Sequence, residues 1–121
     1  MSQHFLDSYA LIEMLEGNPK FDHYNDTDFS ITKLNLIEIH YYLIKKHDPR
    51  AIEITESLAV SVVEFDLSVI FDANKFRLKN KPKEFSTADC IGYVCALKNK
   101  LQFVTGDSEF EGLPGVEFVT K

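Results

Sequence analysis

Four acidic residues occupy positions from which a carboxylate can do chemistry. Asp7 follows the apolar pair Phe5-Leu6, and Glu38 lies within Lys33-Leu34-Asn35-Leu36-Ile37-Glu38-Ile39. Asp89 closes Ser86-Thr87-Ala88-Asp89, and Asp107 follows the apolar run Leu101 to Val104 after Thr105-Gly106. Carboxylates gathered in one place repel each other and raise the pKa of at least one member unless a cation joins them. Hard divalent ions such as Mg²⁺ and Mn²⁺ bind through oxygen ligands of this type. An ion so held lowers the pKa of a bound water and stabilises negative charge that develops beside it.

Each acid also has an ordinary structural role open to it. Asp7 can cap a helix beginning at Ser8. Glu38 shares a narrow polar strip with Asn35, Tyr42 and Lys45, which reads equally as a solvated stripe. Ser86 and Asp89 have capping-box spacing, and Asp107 can form a turn or cap, with Glu109 on its outer side. The roles are compatible, because a helix N-terminus favours the charged form of a carboxylate. For Asp89, the shared arc with Gly92 and Ala96 leaves room for another backbone or a ligand, with Cys90, Ile91, Val94 and Leu97 facing the core. The wide apolar arc around Glu38 predicts a helix covered on more than one side, with the acid facing a cleft.

The elements that must position these acids alternate. Residues 3–7 read as a first strand and Ser8 to Glu16 as a helix stopped by Gly17-Asn18-Pro19. Phe21 to Phe29 is ambiguous. A brief strand at Phe29 to Ile31 leads into a helix over Thr32 to Lys46, and Asp48-Pro49 opens another to about Leu58. The β-branched run Val60 to Phe65 predicts a strand. Helices are expected over Leu67–Leu78 and Ser86–Asn99, with strands at Gln102–Thr105 and Val116–Val119. This rhythm argues for one α/β domain over residues 1–121 with a mainly parallel sheet. Ligands in such sheets bind at strand carboxyl ends where strand order reverses, the edge to which both Asp7 and Asp107 belong.

The 19 acids outnumber 13 bases, giving a net charge of −6, which argues against a generic nucleic-acid binder unless ions offset the acids. No stretch is long and apolar enough for a membrane span, and Met1 to Ser8 does not resemble a signal segment, so a cytoplasmic protein is expected. Cys90 and Cys95 face different sides of one helix and read as buried thiols.

Taken in order, Asp7-Ser8-Tyr9-Ala10-Leu11-Ile12, then Glu38 within Ile31 to Ile39, then Ser86 to Ile91, then Val104-Thr105-Gly106-Asp107-Ser108-Glu109-Phe110 resembles the PIN domain. The resemblance extends from the first strand to the last. It implies a Rossmann-like three-layer α/β/α sandwich with a central, mainly parallel sheet. It also implies a metal-dependent endoribonuclease using Mg²⁺ or Mn²⁺, with products carrying 5′-phosphate and 3′-hydroxyl ends. Small members of the family are commonly VapC-type toxins of type II toxin–antitoxin pairs. They usually dimerise and are blocked by an antitoxin segment over the acidic cleft. On this basis Asp7, Glu38, Asp89 and Asp107 are the catalytic and metal-binding quartet. Asp7, Asp89 and Asp107 hold the ion, Glu38 completes the shell directly or through water, and Ser8 and Thr105 support it. Gly106 departs from the basic or polar residue that many relatives place before the last acid.

For RNA, Lys33, Lys79 and Lys81 are the candidate contacts, within a basic run that includes Arg77 and Lys83. These residues read equally as a solvated helix end and loop. Tyr9, Tyr42 and Phe110 are candidates for stacking on bases. His4 is a candidate at the rim, whereas His40 and His47 read as surface or packing residues. A haloacid-dehalogenase-type phosphatase needs an acid where Tyr9 stands. A receiver domain needs more around Asp66 than the sequence supplies. The alternative reading is a PIN-like binding or scaffold module that no longer catalyses.

Overall fold

The computed structural model describes residues 3–120. In chain order it contains β1 (His4–Leu6), α1 (Ser8–Leu15), a 3-10 helix (Pro19–Asp26), β2 (Phe29–Ser30) and α2 (Lys33–Lys45). There follow α3 (Ala51–Ala59), α4 (Leu67–Lys79), α5 (Thr87–Lys98), β3 (Gln102–Thr105), a 3-10 turn (Ser108–Phe110) and β4 (Val116–Phe118). The strands form one sheet in the order β2-β1-β3-β4, every pair parallel, with Leu6 opposite Val104.

Alternation of side chains along the strands divides the core between the two faces of this sheet. Phe5 and Phe103 point towards α4 and α5, in a cluster with Val69, Ala73, Phe85, Cys90, Tyr93 and Phe110. Leu6 and Val104 point the other way, to Leu11, Met14, Ile39, Leu43 and Leu58 of α1, α2 and α3. The result is a three-layer α/β/α sandwich. Fully burying each of these large side chains contributes about 1.5–3 kcal/mol, so short strands are held mainly by their faces.

Sequence-local signals set most helix ends. Asp7 and Asp66 accept backbone N–H bonds in the first turns of α1 and α4, and Gly17 takes φ +81° just past α1. A left-handed turn of that kind costs glycine nothing. Thr32 with Asn35, and Ser86 with Asp89, form capping boxes at α2 and α5. Asp66 caps α4, accepting from the Val69 N–H and the Ser68 hydroxyl.

Three expectations are corrected. The run Val60 to Phe65 is not a strand: it adds a single parallel bridge, Val62 to Ile31, beside the edge strand β2. Its β-branched residues have no second neighbour to pair with, and Val60 is 88% exposed. The wide apolar arc of α2 is covered on one side only, by α1 and α3, leaving Ile37, Tyr41 and Ile44 exposed. In α5, every residue from Cys90 to Ala96 is buried while Leu97 is exposed. The space at Gly92 serves packing: a Cβ there would stand 2.9 Å from Phe5 Cε1 and 3.4 Å from Phe103 Cε1.

Candidate functional site

The chain leaves β1 in one direction, to β2, and reaches β3 and β4 in the other. Strand order therefore reverses between β1 and β3, which opens a crevice at their carboxyl ends. Asp7 follows the end of β1 and Asp107 lies just beyond β3. Helix α5 runs back to the start of β3, so its N-terminus, carrying Asp89, meets the same edge.

All three of these acids are helix caps. An Asp7 oxygen accepts from the Ala10 N–H at 2.8 Å, and one of Asp89 accepts from the Ser86 N–H at 2.9 Å. One oxygen of Asp107 accepts from the Glu109 N–H at 3.0 Å. Each cap fixes a side-chain rotamer and commits one oxygen, so capping orients the carboxylates toward a common edge.

Burial distinguishes Asp7 from the others. It is 3% exposed, and desolvation pushes its carboxyl from 3.8 up to about 7. Hydrogen bonds from the Thr105 hydroxyl and the Ala10 N–H oppose that rise, while the charges of Asp89 and Asp107 add to it. Asp89 is also raised, first by burial and then by Asp107, against bonds from Ser86 and the charge of Arg77. Thr105 is fully buried and links two of the acids. Its hydroxyl donates to Asp7 and accepts from the Asp107 N–H at 3.0 Å.

Glu38 is placed differently. Its side chain is exposed and accepts a hydrogen bond from the hydroxyl of Ser8, the residue that follows Asp7 in the chain. Asn35 donates to the same Ser8 oxygen at 3.1 Å and accepts from the Thr32 N–H at 2.8 Å. Asn35 is buried and its part in this chain of bonds was not foreseen. The available signal was its place three residues after Thr32, as the far member of a capping box.

Among the described residues, no three His, Cys, Asp or Glu side chains stand close enough as placed to hold one ion together. The chemistry of the donor set nevertheless suits a hard divalent cation. The three carboxylates and the Thr105 hydroxyl beside them offer oxygen atoms, and no ion pair among the described residues neutralises Asp7. A carboxyl buried beside two others without a counter-charge is the environment that a divalent ion relieves.

The remaining candidates divide. Lys33 is exposed at the start of α2, and Lys79 and Lys81 are exposed at the end of α4 and just beyond. Phe110 is fully buried against Phe85 and Phe103, so it cannot stack on a base. The Tyr42 hydroxyl bonds to Glu16 near the far ends of α1 and α2. His4 begins β1 at the opposite edge of the sheet, 3.6 Å from Glu117 and against the Tyr24 ring, so it is not a rim residue. Tyr9 remains beside the site, half-buried against Gly106.

An open parallel sheet with acids at its switch point defines a Rossmann-like α/β domain. The PIN domain family matches residues 4–116, and the chain belongs to that family. A toxin–antitoxin complex from Klebsiella pneumoniae contains a chain with TM-score 0.79 and 18% identity, covering 94% of this chain and 95% of that one. DNA-bound VapBC from Salmonella typhimurium gives 0.76 at 22% identity, over 99% and 98%. VapBC2 from Rickettsia felis, bound to a promoter DNA fragment, gives 0.69 at 18% identity, over 98% of each chain. At these identities the likeness is one of fold. No curated protein matches the sequence. No helix among the described residues is long and apolar enough to cross a membrane.

Proposed function

We propose that the chain is a Mg²⁺- or Mn²⁺-dependent endoribonuclease, the toxin of a type II toxin–antitoxin pair, acting on RNA in the cytoplasm. The observation that carries this reading is Asp7, a carboxyl buried at the sheet's switch point and raised further by Asp89 and Asp107. Asp7, Asp89 and Asp107 would hold the ion, with Glu38 completing the shell directly or through water. When bound, the ion supplies a nucleophilic water at neutral pH and stabilises charge on the phosphate.

The chain's own residues prepare for that. The caps at Ala10, Ser86 and Glu109 keep the carboxylates oriented, and Thr105 sets the separation of Asp7 from Asp107. Burial at Asp7 keeps competing water away from one side of the acids. The likeness to chains of VapBC complexes supports a partner protein for this chain, which we read as an antitoxin over the acidic edge, and the exposed apolar residues of α2 and α4 support a homodimer or that partner.

The second reading, a non-catalytic PIN-like binding module, is favoured by the spacing of the acids, since no three of them share an ion as placed. Incubating total cellular RNA with Mn²⁺ and either wild type, Asp7→Ala or Asp107→Asn separates the two. The nuclease reading expects new ends, 5′-phosphate and 3′-hydroxyl, with wild type only. Identical end maps from all three proteins would leave the binding module as the better account.

A further inference from the structure

Five of the chain's 13 bases, Lys75, Arg77, Lys79, Lys81 and Lys83, fall within nine residues that contain no acid. In a protein of net charge −6 this is a marked local reversal. The fold turns part of the run into a cleft of about 440 Å³ between the end of α4 and the start of α5. Arg77, Lys81, Pro82, Lys83, Phe85 and Ser86 line it, with Glu84 the only acid among its walls, so the cleft is net positive.

Its walls are continuous with the acidic site on two sides. Ser86 lines the cleft and also exchanges the capping-box bonds with Asp89, at 2.9 and 3.0 Å. Lys83 donates through Nζ to the carbonyl of Glu109 at 2.8 Å, two residues from Asp107, and its ammonium lies over the Phe85 ring at 5.7 Å. Arg77 donates to the Thr87 hydroxyl at 3.1 Å in the first turn of α5, and its charge is felt at Asp89. A guanidinium with one donor so engaged has others in the same plane left for a phosphate.

We infer that this cleft is a phosphate subsite for the RNA backbone, in which Arg77 and Lys81 hold a phosphate flanking the one presented to Asp7, Asp89 and Asp107. The inference rests on the nuclease reading for the identity of the ligand. Lys83 is a positioning residue: its ammonium is already spent on the loop that carries Asp107. Phosphate contacts of this kind hold register and carry no sequence information. They place a backbone at a set offset from the acids, and the whole chain's negative charge makes that local reversal the stronger guide for an incoming strand.

The test measures binding apart from cleavage. Asp107→Asn, in chelator, is titrated with a fluorescent single-stranded 12-nucleotide RNA at several salt concentrations. Arg77→Gln and Lys81→Gln are then added separately and together, with Lys100→Gln, at the opposite edge of the sheet, as the control for charge alone. Each cleft substitution is expected to weaken binding roughly tenfold and to reduce the log–log salt slope by about 0.7, while Lys100→Gln leaves the slope near its starting value. Circular dichroism melts confirm that the variants are folded. Equal slopes in cleft and control variants, or no measurable RNA binding by the parent, overturn the subsite. Wild-type cleavage of cellular RNA is scored separately. Cleavage with unchanged slopes removes the subsite and keeps the nuclease, whereas slope changes without cleavage keep the subsite and remove the nuclease.

Discussion

The ring of Tyr9 occupies the space that a side chain at position 106 would need. A Cβ built on Gly106 would come within 2.1 Å of Tyr9 Cε1 and 2.5 Å of its Cζ. Gly106, just before Asp107, is therefore paired with an aromatic residue two positions after Asp7. Gly106→Ala is expected to destabilise the protein by about 1–3 kcal/mol, as overpacking does, in urea unfolding. Tyr9→Ala should reverse most of that loss in the double variant, a coupling that a double-mutant cycle reads directly. Additive losses would mean that the two positions do not compete for the same space.

The buried Asp7 makes stability depend on pH in a defined direction. Its carboxyl rises from 3.8 to about 7 on folding, chiefly by desolvation, so the folded state binds this proton more tightly than the unfolded one. The stability contributed by the proton is complete below about pH 4 and is lost as pH rises through about 7, on the order of 4 kcal/mol in all. Asn keeps the cap to Ala10 without the charge. In chelator at about pH 8, Asp7→Asn should melt above wild type, and the gap should close toward about pH 5. Adding Mn²⁺ should raise the melting temperature of wild type and leave Asp7→Asn where it was. A lower melting temperature for Asp7→Asn at about pH 8 would show that the ionised carboxyl is not costly there.

Ser8, next to Asp7 in the chain, holds the Glu38 carboxylate by a hydrogen bond. Ser8→Ala removes the donor to Glu38 and the acceptor for Asn35. It is expected to cost about 1 kcal/mol of stability and to weaken Mn²⁺ binding about 10- to 100-fold, the usual result of removing an outer support of a ligand. Calorimetric titration with Mn²⁺ measures this, and unchanged affinity would place Glu38 outside the ion's surroundings.

Thr105→Val keeps shape and removes the hydroxyl shared by Asp7 and the Asp107 N–H. A buried donor left unpaired costs about 1–3 kcal/mol, and chemical unfolding should register that loss. Thr105→Ser, which restores the hydroxyl, should recover most of it.

The two thiols offer an inexpensive check on the core. Cys90 and Cys95 are both buried and free, and burial pushes the Cys90 thiol up to about 11 and raises Cys95 as well. Neither should react with a thiol reagent in native protein at neutral pH, and both should react in denaturant. Prompt labelling of folded protein would contradict the packing of α5.

Much of this architecture is written in short-range signals. The caps at Asp7, Ser86 and Asp107, the glycine stop at Gly17 and the alternation of strands with helices each depend on residues within one turn of each other. That is why the order of the elements, the parallel sandwich and the edge carrying Asp7 and Asp107 could be read from the chain. The failures also have a common cause. Val60 to Phe65 has strand composition, yet a strand needs a neighbour, and only the edge of β2 was there to meet it. Phe110 has the residue type of a stacking platform, but the chain folds it beneath the Asp107 turn.

The sequence by itself determined which carboxylates sit at element ends, because a cap is a bond between near neighbours in the chain. Only the tertiary structure decided that Asp7 is desolvated beside Asp89 and Asp107 while Glu38 stays in solvent behind Ser8. It also decided that Tyr9 fills the space over Gly106 and that the basic run folds into a cleft against α5. Desolvation and charge–charge distance depend on which strands lie side by side, and the order β2-β1-β3-β4 is set by long-range packing that no local spacing encodes.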